Sequence, residues 1–228
     1  MATAAIKPRA DAACRLCRGG AVKTKCQWLK AKKTMYTFDH DLFLWLNFDG
    51  GETMDFLMKT ISGTLMWLPL YAFIIYWAFR YKGWKSALVF VLCIALAIGL
   101  SDVLAGIFKH QGLLKDLWAS FPPRPRPMHT PELQGLMHIP SGGHGHYGTV
   151  SAHAATVVAL AWMSGLMIKR WWYSVAISII VLLICYSRIY LACHFPMDIL
   201  LGSILGTITG LAMYLLWVKM DLLLKRAN

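Results

Sequence analysis

Apolar and polar residues segregate along this chain in long blocks rather than in the short alternations of a soluble protein. Five apolar runs occupy residues 61–79, 86–108, 149–168, 172–191 and 195–218. Each is close to the roughly 20 residues a helix needs to cross the hydrocarbon core of a bilayer. The first run has no charged residue and the second only Asp102. The third has His153 as its one ionisable residue, the fourth is apolar until Arg188, and the fifth opens on Asp198. The pattern predicts an all-α integral membrane bundle of about five transmembrane helices. A shorter apolar stretch at 38–48, interrupted by Asp39, His40, Asp41 and Asn47, suits an N-terminal helix lying in the membrane interface. Residues 1–34 have no apolar periodicity and read as a disordered basic extension, with the membrane domain covering 35–228.

Charge sets the orientation. Only 15% of the 228 residues are charged, yet the net charge is +12. Basic residues cluster at 80–85, at 169–170 and at 219–226. With alternating spans these clusters share one side, which the positive-inside rule makes cytoplasmic. The loop 109–148 and the hairpin 188–198 then share the other side, the periplasm if the chain sits in a bacterial inner membrane. The N-terminal extension breaks this pattern, since nine basic residues and one acidic residue precede Met35. Either Met35 is the native start, or residues 38–60 form a sixth span. Asp39, Asp41, Asp49, Glu52 and Asp55 argue against the second reading. Basic groups flanking apolar runs, without a nucleic-acid motif, point to anionic lipid headgroups as partners and not to nucleic acid. The six cysteines are too scattered for a disulfide framework. Cys14-x-x-Cys17 has half of a zinc spacing and no second half.

Three polar segments fall on the non-cytoplasmic side. They are Phe121-Pro-Pro-Arg-Pro-Arg-Pro127, Tyr147-Gly-Thr-Val-Ser-Ala-His153 and Ser187-Arg-Ile-Tyr-Leu-Ala-Cys-His-Phe-Pro-Met-Asp198. Ionisable residues at span ends are functional candidates. Arginine forks suit tetrahedral phosphate oxygens. The absence of a carboxylate pair or a carboxylate-rich set argues against glycosidase chemistry and against a hard-metal site. His129, His138, His144 and His146 offer soft-metal ligands but read more simply as loop residues near substrate. Asp102 is a packing or hydrogen-bonding residue and is given no role. Gly202, Gly206 and Gly210 form a flat stripe for close approach of another helix, expected within the chain rather than in a dimer. Oligomeric state stays open.

The spacing Ser187-Arg188, five residues, His194, three residues, Asp198 resembles the third motif of the type 2 phosphatidic acid phosphatase superfamily, which includes vanadium haloperoxidases and glucose 6-phosphatase. Its motifs read K-x6-R-P, then P-S-G-H, then S-R-x5-H-x3-D. Val150-Ser151-Ala152-His153 keeps the serine and histidine of the second. Pro140-Ser-Gly-Gly-His144 looks closer but has an extra glycine and opens no span. Arg126-Pro127 matches the end of the first motif, with Lys109 as its lysine after an insertion and Lys115 as the alternative.

The resemblance implies a metal-independent phosphoric ester or diphosphate hydrolase without cofactor. In it His194 attacks phosphorus to form a phosphohistidine, Asp198 holds the imidazole, and His153 protonates the leaving group. Lys109, Arg126, Ser151 and Arg188 bind the phosphoryl oxygens. It also implies a lipid substrate: lipid A, undecaprenyl diphosphate or a glycerophospholipid phosphate. The alternative from another class is a transporter of an anionic solute or lipid. That would need polar groups at mid-membrane, whereas these gather at one edge.

Overall fold

The computed structural model describes residues 34–110, 123–140 and 145–226. The N-terminal extension to residue 33, Lys115 and the Pro140–His144 motif beyond its proline lie outside the described residues. The chain forms two units, Met1–Leu42 and Phe43–Asn228. The helix expected over 38–48 is observed over 34–46. The second unit contains six helices among the described residues: α1 Gly51–Ser62, α2 Leu68–Lys82, α3 Trp84–Phe108, α4 Ala152–Ile168, α5 Trp171–Tyr190 and α6 Pro196–Arg226. No β-strand is present among the described residues, so the all-α bundle is observed.

Helices α3, α5 and α6 are long and apolar enough to cross a membrane. The span expected over 61–79 is instead a broken one. α1 and α2 meet at a 64° bend. The cause is local. Gly63 is extended and ends α1, and Pro69 sits in the first turn of α2, where its missing N–H costs nothing. Helix α4 has 17 residues, which at 1.5 Å per residue is about 25 Å, the short end of a crossing. It is shorter than the run at 149–168 because Ser151 caps it. The five expected spans thus correspond to the bent pair, α3, α4, α5 and α6.

Helices α4 and α6 are packed backbone to backbone. A Cβ placed on Gly202 would lie 2.5 Å from the Ser151 carbonyl oxygen, and one on Gly210 would lie 2.8 Å from the Ala159 Cα. A Cβ on Gly206 would run into the Ala155 backbone. The facing Ala154, Ala155 and Ala159 are fully buried. This is the small-residue contact the glycine stripe predicts, and it is made within the chain. Helix α3 joins the pair through polar links. Ser101 and Thr209 share a hydrogen bond of 2.7 Å, and the Trp217 indole donates to the Ser86 carbonyl at 3.1 Å.

The contact makes a graded prediction. Gly206→Ala forces a methyl group into backbone atoms of α4, and overpacking of this kind costs about 1–3 kcal/mol. Gly99 has nothing within 4 Å of an added Cβ, so Gly99→Ala should be neutral or stabilising. Thermal unfolding in detergent should show a drop of several degrees for the first variant only. Equal melting of the two would mean that the close crossing does not support the fold.

Candidate active site

At one end of the bundle α3 and α5 finish while α4 and α6 begin, and the three polar segments converge there. The proline-rich segment is held as a strand-like strip. The Arg126 N–H donates to the His146 carbonyl and the Gly148 N–H to the Arg124 carbonyl, both at 2.9 Å, around a Pro125–Tyr147 bridge. The Thr130 hydroxyl donates to the Arg126 carbonyl at 2.9 Å. Arg126 is thereby fixed from the backbone outward, and its Nη1 donates to the Cys193 carbonyl at 3.2 Å.

Arg188 occupies the last turn of α5. Its carbonyl accepts the N–H groups of Cys193 at 3.0 Å and His194 at 3.2 Å. The chain reverses through Ala192, whose φ of 53° is left-handed. Non-glycine residues rarely adopt that conformation. The Arg188 Nη1 donates to the Ser62 hydroxyl at the end of α1. His194 follows, 1% exposed.

Asp198 was expected to hold the His194 imidazole, but the Nδ1 of that ring has no hydrogen-bond partner. The carboxylate does something else. Pro196 is the first residue of α6 and Asp198 the third, the position from which an acidic side chain reaches back to the residue preceding the helix. Its Oδ2 accepts the Phe195 N–H at 3.1 Å, and its Oδ1 accepts the Thr149 hydroxyl at 3.2 Å. The Arg124 Nη1 lies 3.9 Å from Oδ1, and that guanidinium sits 3.7 Å over the Phe195 ring. Ser151 also departs from expectation. Its Oγ caps α4 by accepting the Ala154 N–H at 3.4 Å, its N–H donates to the Asp198 carbonyl at 3.1 Å, and it does not line the cavity.

The other five expected residues meet. Lys109, Arg126, His153, Arg188 and His194 all line one cavity of about 390 Å³, together with Thr64, Tyr71, Asp102 and Thr156. Lys109 follows directly on α3, with its N–H bonded to the Gly106 carbonyl at 3.0 Å. The Nε atoms of Arg126 and Arg188 have no partner within the protein, so these N–H groups remain for an anion. Burial, reinforced by Arg126, lowers the Lys109 ammonium to about 8. Burial pushes the Arg126 guanidinium down as well. The His194 imidazole is held well below its ordinary value, first by burial and then by Arg126, Lys109 and Arg188. It is therefore a neutral ring among cations. The buried Cys193 thiol is pushed up, which disfavours a thiolate nucleophile.

Among the described residues no group of three or more His, Cys, Asp or Glu could hold a metal ion. Three loop histidines among the described residues have partners within the protein. His129 and His146 stack with centroids 4.8 Å apart, and His138 bonds Asp55 at 2.8 Å. Asp55 also accepts the Tyr190 hydroxyl at 2.6 Å, which anchors the loop near residue 138 to α1 and α5. The sequence reasoning missed Ser62, Asp102, Arg124 and Thr149. Arg124 had a signal, since it repeats the Arg-Pro step of Arg126. Ser62 and Thr149 had none.

The PAP2 superfamily model matches residues 90–221. A lipid A 4'-phosphatase of Bacteroides thetaiotaomicron is 31% identical over 183 residues, covering 80% of this chain and 78% of that protein. One from Porphyromonas gingivalis is 29% identical over 177 residues, covering 77% and 71%. Among solved structures, the PAP2-type phosphatidylglycerolphosphate phosphatase of Bacillus subtilis superposes with a TM-score of 0.58 at 19% identity, covering 86% of this chain and 90% of that one. LpxE of Aquifex aeolicus gives 0.53 at 18% identity, covering 76% and 92%. These two share the fold. With more than half of its length under the family model and five of its seven motif residues lining one cavity, the chain belongs to the PAP2 superfamily.

Proposed function

We propose that this protein hydrolyses a phosphate monoester of lipid A at the outer face of a bacterial inner membrane, through a phosphohistidine on His194. It is a membrane lipid phosphatase, and its relatives are bacterial lipid A 4'-phosphatases. The observation that carries the proposal is the joint lining of one cavity by Lys109, Arg126, His153, Arg188 and His194.

In the proposed reaction the phosphate dianion sits among Lys109, Arg126 and Arg188, whose donors meet the equatorial oxygens of the transition state. The neutral His194 ring attacks phosphorus in line, and His153 gives a proton to the departing sugar oxygen. Water activated by His153 then releases phosphate. Asp198 and Ser151 act on the frame. The first ties down the N–H that follows His194, and the second caps the helix that carries His153. The charge-stabilising cations are side chains, so turnover should survive excess chelator.

Trapping with labelled lipid is the main test. His194→Ala should yield no acid-labile, alkali-stable phosphoenzyme. His153→Ala should slow turnover about 10²–10⁴-fold. Turnover by His194→Ala, or loss with chelator and recovery with zinc, would remove the phosphohistidine.

The pH dependence follows from Lys109. Its folded value of about 8 lies below the ordinary 10.5, so its charge is lost as pH rises through 8. Values of kcat/KM should fall above pH 8, and Lys109→Arg should abolish that decline because a guanidinium stays charged. A decline unchanged by this substitution would assign it to another group.

Orientation is checked separately. A C-terminal alkaline phosphatase fusion should be inactive and a fluorescent protein fusion bright, since α6 ends on the side of the basic loops. The opposite pattern would reverse the topology.

A further inference from the structure

Asp102 stands within α3, seven residues before Lys109 and on the same face, since seven residues are close to two helical turns. A carboxylate inside a membrane span is costly and marks function unless it is paired. Its charge acts on the Lys109 ammonium, but no described side chain forms a close ion pair or hydrogen bond with it. It is exposed, and it lines the same cavity as the phosphate-binding cations. At 1.5 Å per residue it lies about 10 Å deeper in the membrane than Lys109.

The cavity is therefore polarised along its depth. Lys109, Arg126 and Arg188 line the membrane-edge end. Asp102 marks the inner end, with the Thr64 hydroxyl and the Tyr71 phenol in the same lining. A second cavity of about 350 Å³ continues from there. It shares Thr64, Tyr71, Ile98 and Leu160 with the first and runs between α2 and α3 over Ile74 and Ile94. Its wall is almost wholly apolar, so it suits an acyl chain. A lipid whose phosphate lies among the cations and whose chain lies in this groove must pass Asp102 on the way.

We infer that Asp102 is a specificity residue: it accepts a hydrogen bond from a hydroxyl or amide N–H of the lipid, where the acyl chain leaves the phosphate cavity for the groove between α2 and α3. The inference rests on the lipid phosphatase reading above. Chemistry favours a neutral donor. A carboxylate repels phosphate, so it weakens binding of a dianion unless another part of the lipid compensates. It also rejects lipids that present only ester oxygens there, because two acceptors then face each other without a proton. Lipids with amide-linked or 3-hydroxylated acyl chains supply the missing donor, and plain diacyl phosphates do not.

The test uses full-length enzyme in detergent and three substrates: a phosphorylated glucosamine lipid with amide-linked 3-hydroxyacyl chains, phosphatidate of equal chain length, and 4-nitrophenyl phosphate. Asp102→Ala should lower kcat/KM for the first about 10- to 100-fold, the range for a lost hydrogen bond to a charged group, mainly through KM. Turnover of the other two should stay within about twofold or rise. Asp102→Asn, which keeps one acceptor oxygen, should recover part of the loss. A uniform loss on all three substrates would overturn the inference and make Asp102 a partner of Lys109 or a structural residue. No change on the first substrate would overturn it too. If wild-type enzyme hydrolysed none of the three, the phosphatase reading itself would fail.

Discussion

The close crossing of α4 and α6 is the constraint on which the site depends. Helices usually pack 8–10 Å apart, a distance set by their side chains. Gly202, Gly206 and Gly210 remove those side chains, and the alanines on α4 remove most of the rest. The two backbones can then start from one point, where the Ser151 N–H donates to the Asp198 carbonyl. Wider spacing would break that bond and draw His153 on α4 away from His194, which precedes α6. The distance between the proposed acid and the proposed nucleophile is thus governed by residues one to three turns away that touch no substrate.

Gathering Lys109, Arg126 and Arg188 around a buried imidazole has an energetic cost, visible in the lowered values of Lys109 and Arg126. Backbone and hydroxyl acceptors offset part of it, the Cys193 carbonyl for Arg126 and the Ser62 hydroxyl for Arg188. The remainder is relieved when an anion arrives, so the site is better matched to a phosphoryl dianion than to solvent. That is the condition for stabilising the charge that spreads over phosphorus in the transition state. The same burial keeps the His194 ring uncharged, the form that the proposed attack on phosphorus requires.

What was legible in the sequence follows the range of each interaction. The spans were legible because hydrocarbon imposes long apolar runs whatever the tertiary contacts. The third motif was legible because its residues occupy one helix–loop–helix of 12 positions. The glycine stripe predicted its own packing. The bend at Gly63 was hidden inside a charge-free run, although Gly63 and Pro69 were its local cause. Ser62 and Thr149 act only through partners far along the chain, which no spacing reveals. Asp198 carries two readings at once. Phe195-Pro196-x-Asp198 also reads as a helix start, and the capping role competes with the imidazole for the same carboxylate.

The up-and-down topology explains why each charge type sits where it does. It brings two helix C-termini and two N-termini to one end of the bundle. The carbonyl ends of α3 and α5 carry partial negative charge, and Lys109 and Arg188 occupy those ends. The N–H ends of α4 and α6 carry partial positive charge, and Asp198 lies in the first turn of α6. Lys109, Arg188 and Asp198 are thus each held by the helix end that favours them, and neither Lys109 nor Arg188 forms a close ion pair within the site. An ion pair would have neutralised the cations before substrate arrived. Dipoles stabilise them in place without using up the donors that a phosphate requires.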